Sequence, residues 1–367
     1  MMDEHQKPSH PLRTGFTTGA CATGASQAAF QALLTGVFPD PVTVRLPKGY
    51  EARFALAETA LAEGVARAAI VKDAGDDPDV THGALIRAEV RRLPVGQGVR
   101  FAAGEGVGTV TLPGLPVAVG EPAINPVPRR LMTEAINALA AQHGATPDAE
   151  ITISIPGGAR LAERTLNARL GIVGGLSILG TTGIVIPYSC SAWIHSIERG
   201  IDVARALGLK HIAGSTGRTS EAAVKALYDL PETALIEMGD FAGGMLKYLR
   251  RHPAERVTIA GGPAKLAKLA AGHLDLHSKR SRSDSRGLSA LAAEAGLDSA
   301  LVRAIEGTNS VAQALALAGD TGPVLVAAIA SKARAAALDV LGTARSSIAL
   351  DVVVVDREGR LIGRAGP

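Results

Sequence analysis

The chain has 367 residues, 47% of them hydrophobic, enough to bury cores in two or three domains and to exclude wholesale disorder. Its 38 Lys and Arg against 35 Asp and Glu leave a formal charge of +3, too even for a general polyanion binder. Aromatic residues make up only 3%, with one Trp and four Tyr, so no base-stacking surface for nucleic acid is expected. The only two cysteines, Cys21 and Cys190, cannot build a disulfide framework or a Cys-rich zinc site, and so low a count suits a reducing cytosol. The polar start, Met1 to Pro8, lacks the apolar stretch of a signal peptide, so a cytoplasmic protein is expected.

In chain order, Thr17 or Thr18 can cap a helix over about Ala20 to Leu34, which ends near Gly36. Short β-like runs follow at Val42 to Leu46, Ala52 to Ala57, Ala68 to Lys72, Ala84 to Arg92 and Val107 to Leu112, separated by turn clusters. Pro128 opens a second helix, about Arg129 to His143, and a strand runs from Glu150 to Ile155. No formal charge occurs from Leu170 to Ile194, long enough for a membrane span. Five glycines and Pro187 interrupt that stretch, so buried turns are expected and no membrane partner.

Beyond it the pattern changes to alternating helices and strands. A helix near Ala192 to Leu207 leads to the strand Lys210 to Gly214, then a helix Ser220 to Tyr228 and a strand Ala234 to Glu237. A helix Phe241 to Arg251, a strand Arg256 to Ala260 and a helix Lys265 to Ala271 continue it. An Ala-rich helical stretch runs to Gly342, and Ile348 to Val355 reads as an apolar closing strand. Such alternation predicts parallel βαβ units. The fold class is therefore a mixed α+β domain over residues 1–195 and a Rossmann-like α/β domain with a mainly parallel sheet over residues 196–367.

Four groups of residues carry chemical potential. Gly214-Ser-Thr216-Gly217-Arg218-Thr219 follows a strand and opens a helix, where close backbone approach and a helix N-terminus favour an anionic or polar ligand group. Glu237 ends the next strand, where an acid can accept hydrogen bonds from ribose hydroxyls, and Gly261-Gly262 ends a third. Together they describe a site for an adenosine-containing cofactor, although ordinary βα turns that need glycine give the same pattern. The run Lys72 to His82 holds four carboxylates within seven residues, compatible with a cation, an Asx-turn or the wall of a cleft. Arg13 beside Thr17 and Thr18 can cradle a carboxylate or simply cap a helix. His277-Ser-Lys279-Arg280-Ser-Arg282-Ser-Asp284-Ser-Arg286 is a solvated basic loop or a grip for a ligand with several carboxylates.

The longer motifs resemble one family throughout the chain. They are Leu12-Arg-Thr-Gly-Phe-Thr-Thr-Gly-Ala-Cys-Ala-Thr-Gly-Ala25, Val44-Arg-Leu-Pro-Lys-Gly49, Val71-Lys-Asp-Ala-Gly-Asp-Asp-Pro-Asp-Val-Thr-His-Gly83 and Gly104-Glu-Gly-Val-Gly-Thr109. Pro122-Ala-Ile-Asn-Pro126, Gly171-Ile-Val-Gly-Gly-Leu-Ser-Ile-Leu-Gly-Thr-Thr-Gly183, Gly217-Arg-Thr-Ser-Glu221 and His277-Ser-Lys-Arg-Ser281 complete the set. In this order they resemble the cobalt-precorrin-5B C1-methyltransferase (CbiD) family of anaerobic cobalamin biosynthesis.

The resemblance implies methyl transfer from S-adenosylmethionine to a ring carbon of a cobalt-containing corrinoid, with the cobalt arriving in the substrate and no metal site in the protein. It makes Gly214, Thr216, Gly217, Arg218, Thr219, Glu237, Gly261 and Gly262 candidates for the methyl donor. Candidates for the substrate and its carboxylate arms are Arg13, Thr17, Thr18, Lys72, Asp73, Asp76, Arg129, Thr181, Thr182, His277 and Arg280, with Arg130 and the rest of the 279–286 run. No catalytic residue is singled out; Asp73, Asp76, His82 and His277 are the candidates for a base, should one be used. A homo-oligomer or transient contact with neighbouring pathway enzymes is compatible with this role. Two other readings stand beside it, a non-catalytic corrinoid carrier or scaffold and a nicotinamide-dependent reductase.

Overall fold

A computed structural model describes residues 11–277 and 285–366, a mixed α/β chain that divides into two compact units at Ser189/Cys190. The first unit runs β1 (Gly15–Phe16), α1 (Thr18–Thr35), β2 (Val42–Arg45), β3 (Glu51–Phe54), β4 (Glu58–Ala62), β5 (Val65–Val71), β6 (Leu85–Arg92) and β7 (Val99–Ala103). It continues through β8 (Thr109–Val110), α2 (Pro126–Gln142), β9 (Ala149–Ser154), α3 (Gly158–Ala162), β10 (Ile172–Val173) and β11 (Ile184–Val185).

Its main sheet has the order β4-β5-β6-β9-β7, antiparallel except where β7 runs parallel to β9. Burial alternates along β6 and β9, and Ile86, Ala88, Val90, Ala149, Ile151 and Ile153 are fully covered. Helix α1 packs on this face and is itself almost wholly buried, which its Ala, Gly, Ser and Thr composition allows. At Gly24 an added Cβ would come within 2.8 Å of Ile70 and 3.1 Å of Phe54, so a larger residue would lift the helix off the sheet. Thr17 caps α1 through the Ala20 N–H, a contribution of about 1 kcal/mol, and Gly36 closes it in the left-handed conformation.

The second unit runs α4 (Cys190–Ala206), β12 (His211–Ser215), α5 (Arg218–Tyr228), β13 (Leu235–Glu237), α6 (Ala242–Arg251), β14 (Arg256–Gly261) and α7 (Pro263–Ala270). Then come α8 (Ser285–Glu294), α9 (Ser299–Glu306), α10 (Val311–Ala318), α11 (Gly322–Leu341), β15 (Ala349–Val355) and β16 (Leu361–Ala365). The sheet order is β13-β12-β14-β15-β16, with the first four strands parallel and β16 antiparallel at the edge. Val224 of α5 packs on one face with Ala213, Leu235, Ala260 and Val353. On the other face, α4, α6, α7 and α11 bury Ile197, Ile201, Met245, Leu246, Leu266, Ile329 and Ala333. All of α4 belongs to this unit because Ile197, Ile201 and Ala204 sit in its core, so the division falls at 189/190 and not at 195/196. No helix among the described residues is long and apolar enough to cross a membrane.

Several elements depart from sequence expectation. The expected strand at 107–112 shrinks to β8, which pairs with β10 over two residues and is flanked by isolated bridges from Val107 to Leu176 and from Thr109 to Pro122. Strands β4, β7 and β16 have no sequence signal: β4 is exposed throughout, and Gly363 of β16 gives way to the Val326 side chain. Strand β15 is not apolar throughout. Asp351 lies fully buried in it, accepting from Thr258 Oγ1 at 2.6 Å and from the Tyr228 hydroxyl, with Arg364 and Arg256 3.3 and 3.4 Å away. Both guanidiniums also lie over the Tyr228 ring. A buried carboxylate so supplied with donors is tolerated where a lone one would not be.

Candidate functional site

In the first unit, two loops cross backbone on backbone. An added Cβ at Gly15 would stand 2.0 Å from the Ala74 carbonyl carbon, and one at Gly75 would stand 2.2 Å from the Arg13 oxygen, so only glycine fits at either position. The crossing is tied by Phe16 N–H to Asp73 O at 2.7 Å, Asp76 N–H to Arg13 O at 3.0 Å and Arg13 N–H to the Asp76 carboxylate at 2.7 Å. The Arg13 guanidinium grips Asp73 at both oxygens. The Arg13 hydrogen bond, joined by the Gly75 N–H, pulls the Asp73 carboxyl down to about 2. Arg13 is therefore a neutralised pair and not a free cation, and Asp73 stays ionised at neutral pH, where it is a poor base.

The segment 179–188 returns to the same place. Gly19 N–H donates to Leu179 O at 2.8 Å and Thr17 N–H to Gly183 O at 2.9 Å. Gly180 leaves room for Thr17, whose Oγ1 would be 2.3 Å from an added Cβ. Thr181 is exposed there, and Thr182 Oγ1 accepts from the Ile184 N–H. The structure thus brings Arg13, Thr17, Thr18, Asp73, Asp76, Thr181 and Thr182 around the N-terminus of α1.

Lys72 and Arg129 are turned to other work. Lys72 is 2% exposed, and its ammonium pairs with Asp79 and Thr81 inside the loop, so it presents no charge to a ligand. Burial would raise Asp79, but the charge and hydrogen bond of Lys72 outweigh it and hold that carboxyl below its ordinary value. Arg129 donates to the carbonyls of Ile124 at 2.8 Å and Pro122 at 2.9 Å and pairs with Glu121 at 3.0 Å, bracing the entry to α2. Arg130 is exposed and 3.7 Å from Glu134. The four carboxylates of 73–79 are spread over three residues, Asp73 and Asp76 on Arg13, Asp79 on Lys72, and Asp77 on the Tyr188 N–H at 2.8 Å. Among the described residues, no three His, Cys, Asp or Glu are grouped to hold a metal. His82 Nδ1 accepts from the Ala74 N–H at 3.1 Å. Cys21, close to Lys72 but buried, has its thiol pushed up to about 12 by desolvation.

In the second unit, the chain leaves β12 through α5 to β13 on one side, then returns through α6 to β14 on the other. Ligands of doubly wound sheets bind beyond the carboxyl ends of the strands at such a reversal. Ser215, Thr216 and Gly217 lie there opposite Gly261 and Gly262, joined by Thr216 N–H to Ala260 O at 2.9 Å. Gly217 and Gly262 begin α5 and α7, and neither helix has a side-chain cap. Gly217 faces open space and a Cβ on Gly262 would only touch the Val355 carbonyl at 3.9 Å, whereas Gly261 makes way for Thr216, whose Oγ1 would lie 2.7 Å from an added Cβ. Gly214 serves a different purpose: the Met245 sulfur fills the place of its Cβ on the α6 side, so it is a packing glycine. Arg218 and Thr219 are exposed in the first turn of α5.

Glu237 is half-buried at the end of β13, and no side chain of the described residues pairs with its carboxylate. Three residues with no sequence signal complete the edge. Ser215 Oγ is buried with no hydrogen-bond partner among the described residues. Lys265 Nζ forms an ion pair with Asp240 Oδ1 at 3.0 Å and also donates to the Thr216 carbonyl at 2.9 Å. Ser215 and Lys265 look like ordinary βα-turn residues, and Asp240 like a loop acid three residues after Glu237. His277 ends the described segment, with its N–H on Asp275 Oδ1 at 3.1 Å. Arg280, with Lys279 and Arg282, lies outside the described residues, and Arg286 is 3.5 Å from Glu306.

A family model described as CbiD matches residues 5–187, and one described as CbiD, C-terminal domain, matches residues 275–366. The chain belongs to the CbiD family. Its relatives include the cobalt-precorrin-5B C(1)-methyltransferases of Paramagnetospirillum magneticum, 62% identical over 96% of this chain and 98% of that one, and Agrobacterium fabrum, 60% identical over 96% and 93%. That of Brucella anthropi is 57% identical over 96% and 95%. A solved cobalamin biosynthesis protein (CbiD) from Archaeoglobus fulgidus is 28% identical and covers 78% of this chain and 85% of that one, at a TM-score of 0.39.

Proposed function

We infer that this protein transfers a methyl group to C1 of cobalt-precorrin-5B in cobalamin biosynthesis, giving cobalt-precorrin-6A. The observation that carries the reading is the 62% identity, over nearly the full length of both chains, to a relative of that name. S-adenosylmethionine is the donor on this reading and S-adenosylhomocysteine the second product. A Rossmann-like second unit binds the donor, and the carboxyl edge of its sheet has groups that fit. The uncapped start of α5, Gly217 to Thr219, suits the carboxylate of a methionine moiety, and the unpaired Glu237 suits ribose hydroxyls. Gly261 and Gly262 keep the opposite wall low. The orphaned Ser215 Oγ lies on the α5 face of β12, by alternation from Ala213, and offers a further polar contact beneath that first turn.

On the substrate side, Thr17, Thr18, Asp76, Thr181 and Thr182, with the Arg13–Asp73 pair, form a polar rim suited to a corrinoid's carboxylate and amide-bearing arms. Lys72 and Arg129 support it from behind. In the second unit, His277 is a separate candidate for a substrate carboxylate, as is Arg280 in the basic run. The donor supplies an electrophilic sulfonium methyl; its S–C bond breaks as the new C–C bond forms at the ring carbon. The chain's part is to align the two reactants and keep water out. The cobalt comes with the substrate.

The test is anaerobic incubation with cobalt-precorrin-5B and methyl-labelled S-adenosylmethionine, read by mass spectrometry. One labelled methyl on the corrinoid with an equal yield of S-adenosylhomocysteine is expected. Tight corrinoid binding without transfer, using substrate competent with a relative, would make the chain a carrier instead.

A further inference from the structure

Residue 193 is the chain's one tryptophan, and α4 holds it in place. Ile197 and Ile201 of that helix are buried in the second unit's core, and Ile194 lies 3.0 Å from where a Cβ on Gly244 would stand. The indole N–H donates to the Glu237 carbonyl at 3.1 Å. The ring lies against Gly239, where an added Cβ would sit 3.5 Å from three ring atoms, and its centroid is 6.4 Å from that of Phe241. Despite these ties, 43% of Trp193 is exposed. An indole already held in one position with apolar surface open can gain from a flat partner at little further cost in side-chain freedom.

The neighbouring groups indicate which partner. The inference rests on the donor reading above: ribose hydroxyls on the Glu237 carboxylate put the attached base beside the next residues of the loop, Met238 to Asp240. The indole stands over that stretch, anchored to the backbone of Glu237 and in contact range of Gly239. Gly239 lies at a φ of 55°, which glycine favours, and the ring is in van der Waals range of its Cα side. We propose that Trp193 is the stacking wall for the adenine of the methyl donor, a positioning residue that fixes the base while Glu237 fixes the sugar.

A single tryptophan makes its fluorescence a local readout. The intact chain is titrated with adenosine, methionine and S-adenosylhomocysteine, with calorimetry in parallel. Adenosine and S-adenosylhomocysteine are expected to change the Trp193 emission, saturating with the calorimetric affinity, while methionine leaves it unchanged. Trp193→Leu should weaken S-adenosylhomocysteine about tenfold and Trp193→Phe by less than about threefold, both with wild-type circular dichroism. Calorimetric binding of S-adenosylhomocysteine with unchanged emission, or with undiminished affinity in Trp193→Leu, overturns the stacking role and leaves the donor reading intact. If the wild-type chain does not bind S-adenosylhomocysteine, the donor reading falls and the stacking role with it.

Discussion

Asp73 and Glu237 are both carboxylates at loop edges, and their surroundings give them opposite uses. Asp73 has its charge taken up by Arg13, and its folded pKa, about 2, lies below the ordinary value near 3.9. The tie therefore stabilises the fold above about pH 4 and is lost as pH falls through about 2. With 47% of the Asp73 side chain exposed, screening keeps the contribution below about 1 kcal/mol. Wild type should have a slightly higher urea midpoint than Asp73→Asn at pH 6, and the gap should close toward pH 2. Glu237 has no such partner among the described residues, which leaves its carboxylate for a ligand. Glu237→Ala should weaken S-adenosylhomocysteine about 10- to 100-fold by calorimetry while leaving the melting temperature of the free protein nearly unchanged. Equal affinity would remove Glu237 from the site.

Among the elements, β15 contains the polar centre of the second unit. Asp351 gathers Thr258, Tyr228, Arg256 and Arg364, from β14, α5 and β16, and His211 joins through Thr258 Oγ1 at 2.7 Å. Burial, reinforced by the charge of Arg256, lowers the His211 pKa, so this histidine stays neutral at physiological pH. Asp351→Ala should cost about 3 kcal/mol in denaturant unfolding, because Thr258 is left buried and both arginines lose their counter-charge. The elements also mark what could be read from residues alone. Helix α1 and strands β6 and β9 were legible through capping and alternating burial. Strand β4 was not, since an exposed edge needs no apolar pattern. The glycine-ended strands of the second unit pointed to its carboxyl edge, yet the reasons differ: Gly217 faces open space while Gly214 accommodates Met245. Lys72 looked like a surface cation because nothing local in its sequence announces the inward turn that Asp79 and Thr81 complete.

At the scale of the whole molecule, each unit has its own sheet and its own core. The carboxyl-edge groups from Trp193 to Lys265 all belong to the second unit. Residues 190–367 produced alone should fold, by circular dichroism and a cooperative melt, and bind S-adenosylhomocysteine within about threefold of the intact chain. Failure to bind while folded would show that residues 190–367 do not make the donor site by themselves.

The glycine crossing in the first unit also imposes an order in time. Gly15 and Gly75 are 60 residues apart, and each fits only once the other's backbone is in position. The hairpin of β5 and β6 closes over the thirteen residues 72–84, whereas the crossing must close a far longer stretch and has no reward until that hairpin, whose loop holds Gly75, exists. The amides of Phe16 and Asp76 should therefore gain protection from hydrogen exchange later in refolding than those of β5 and β6. The polar rim around α1 would be among the last parts of the unit to form, so a half-folded chain would have a sheet before it had anywhere to hold a substrate.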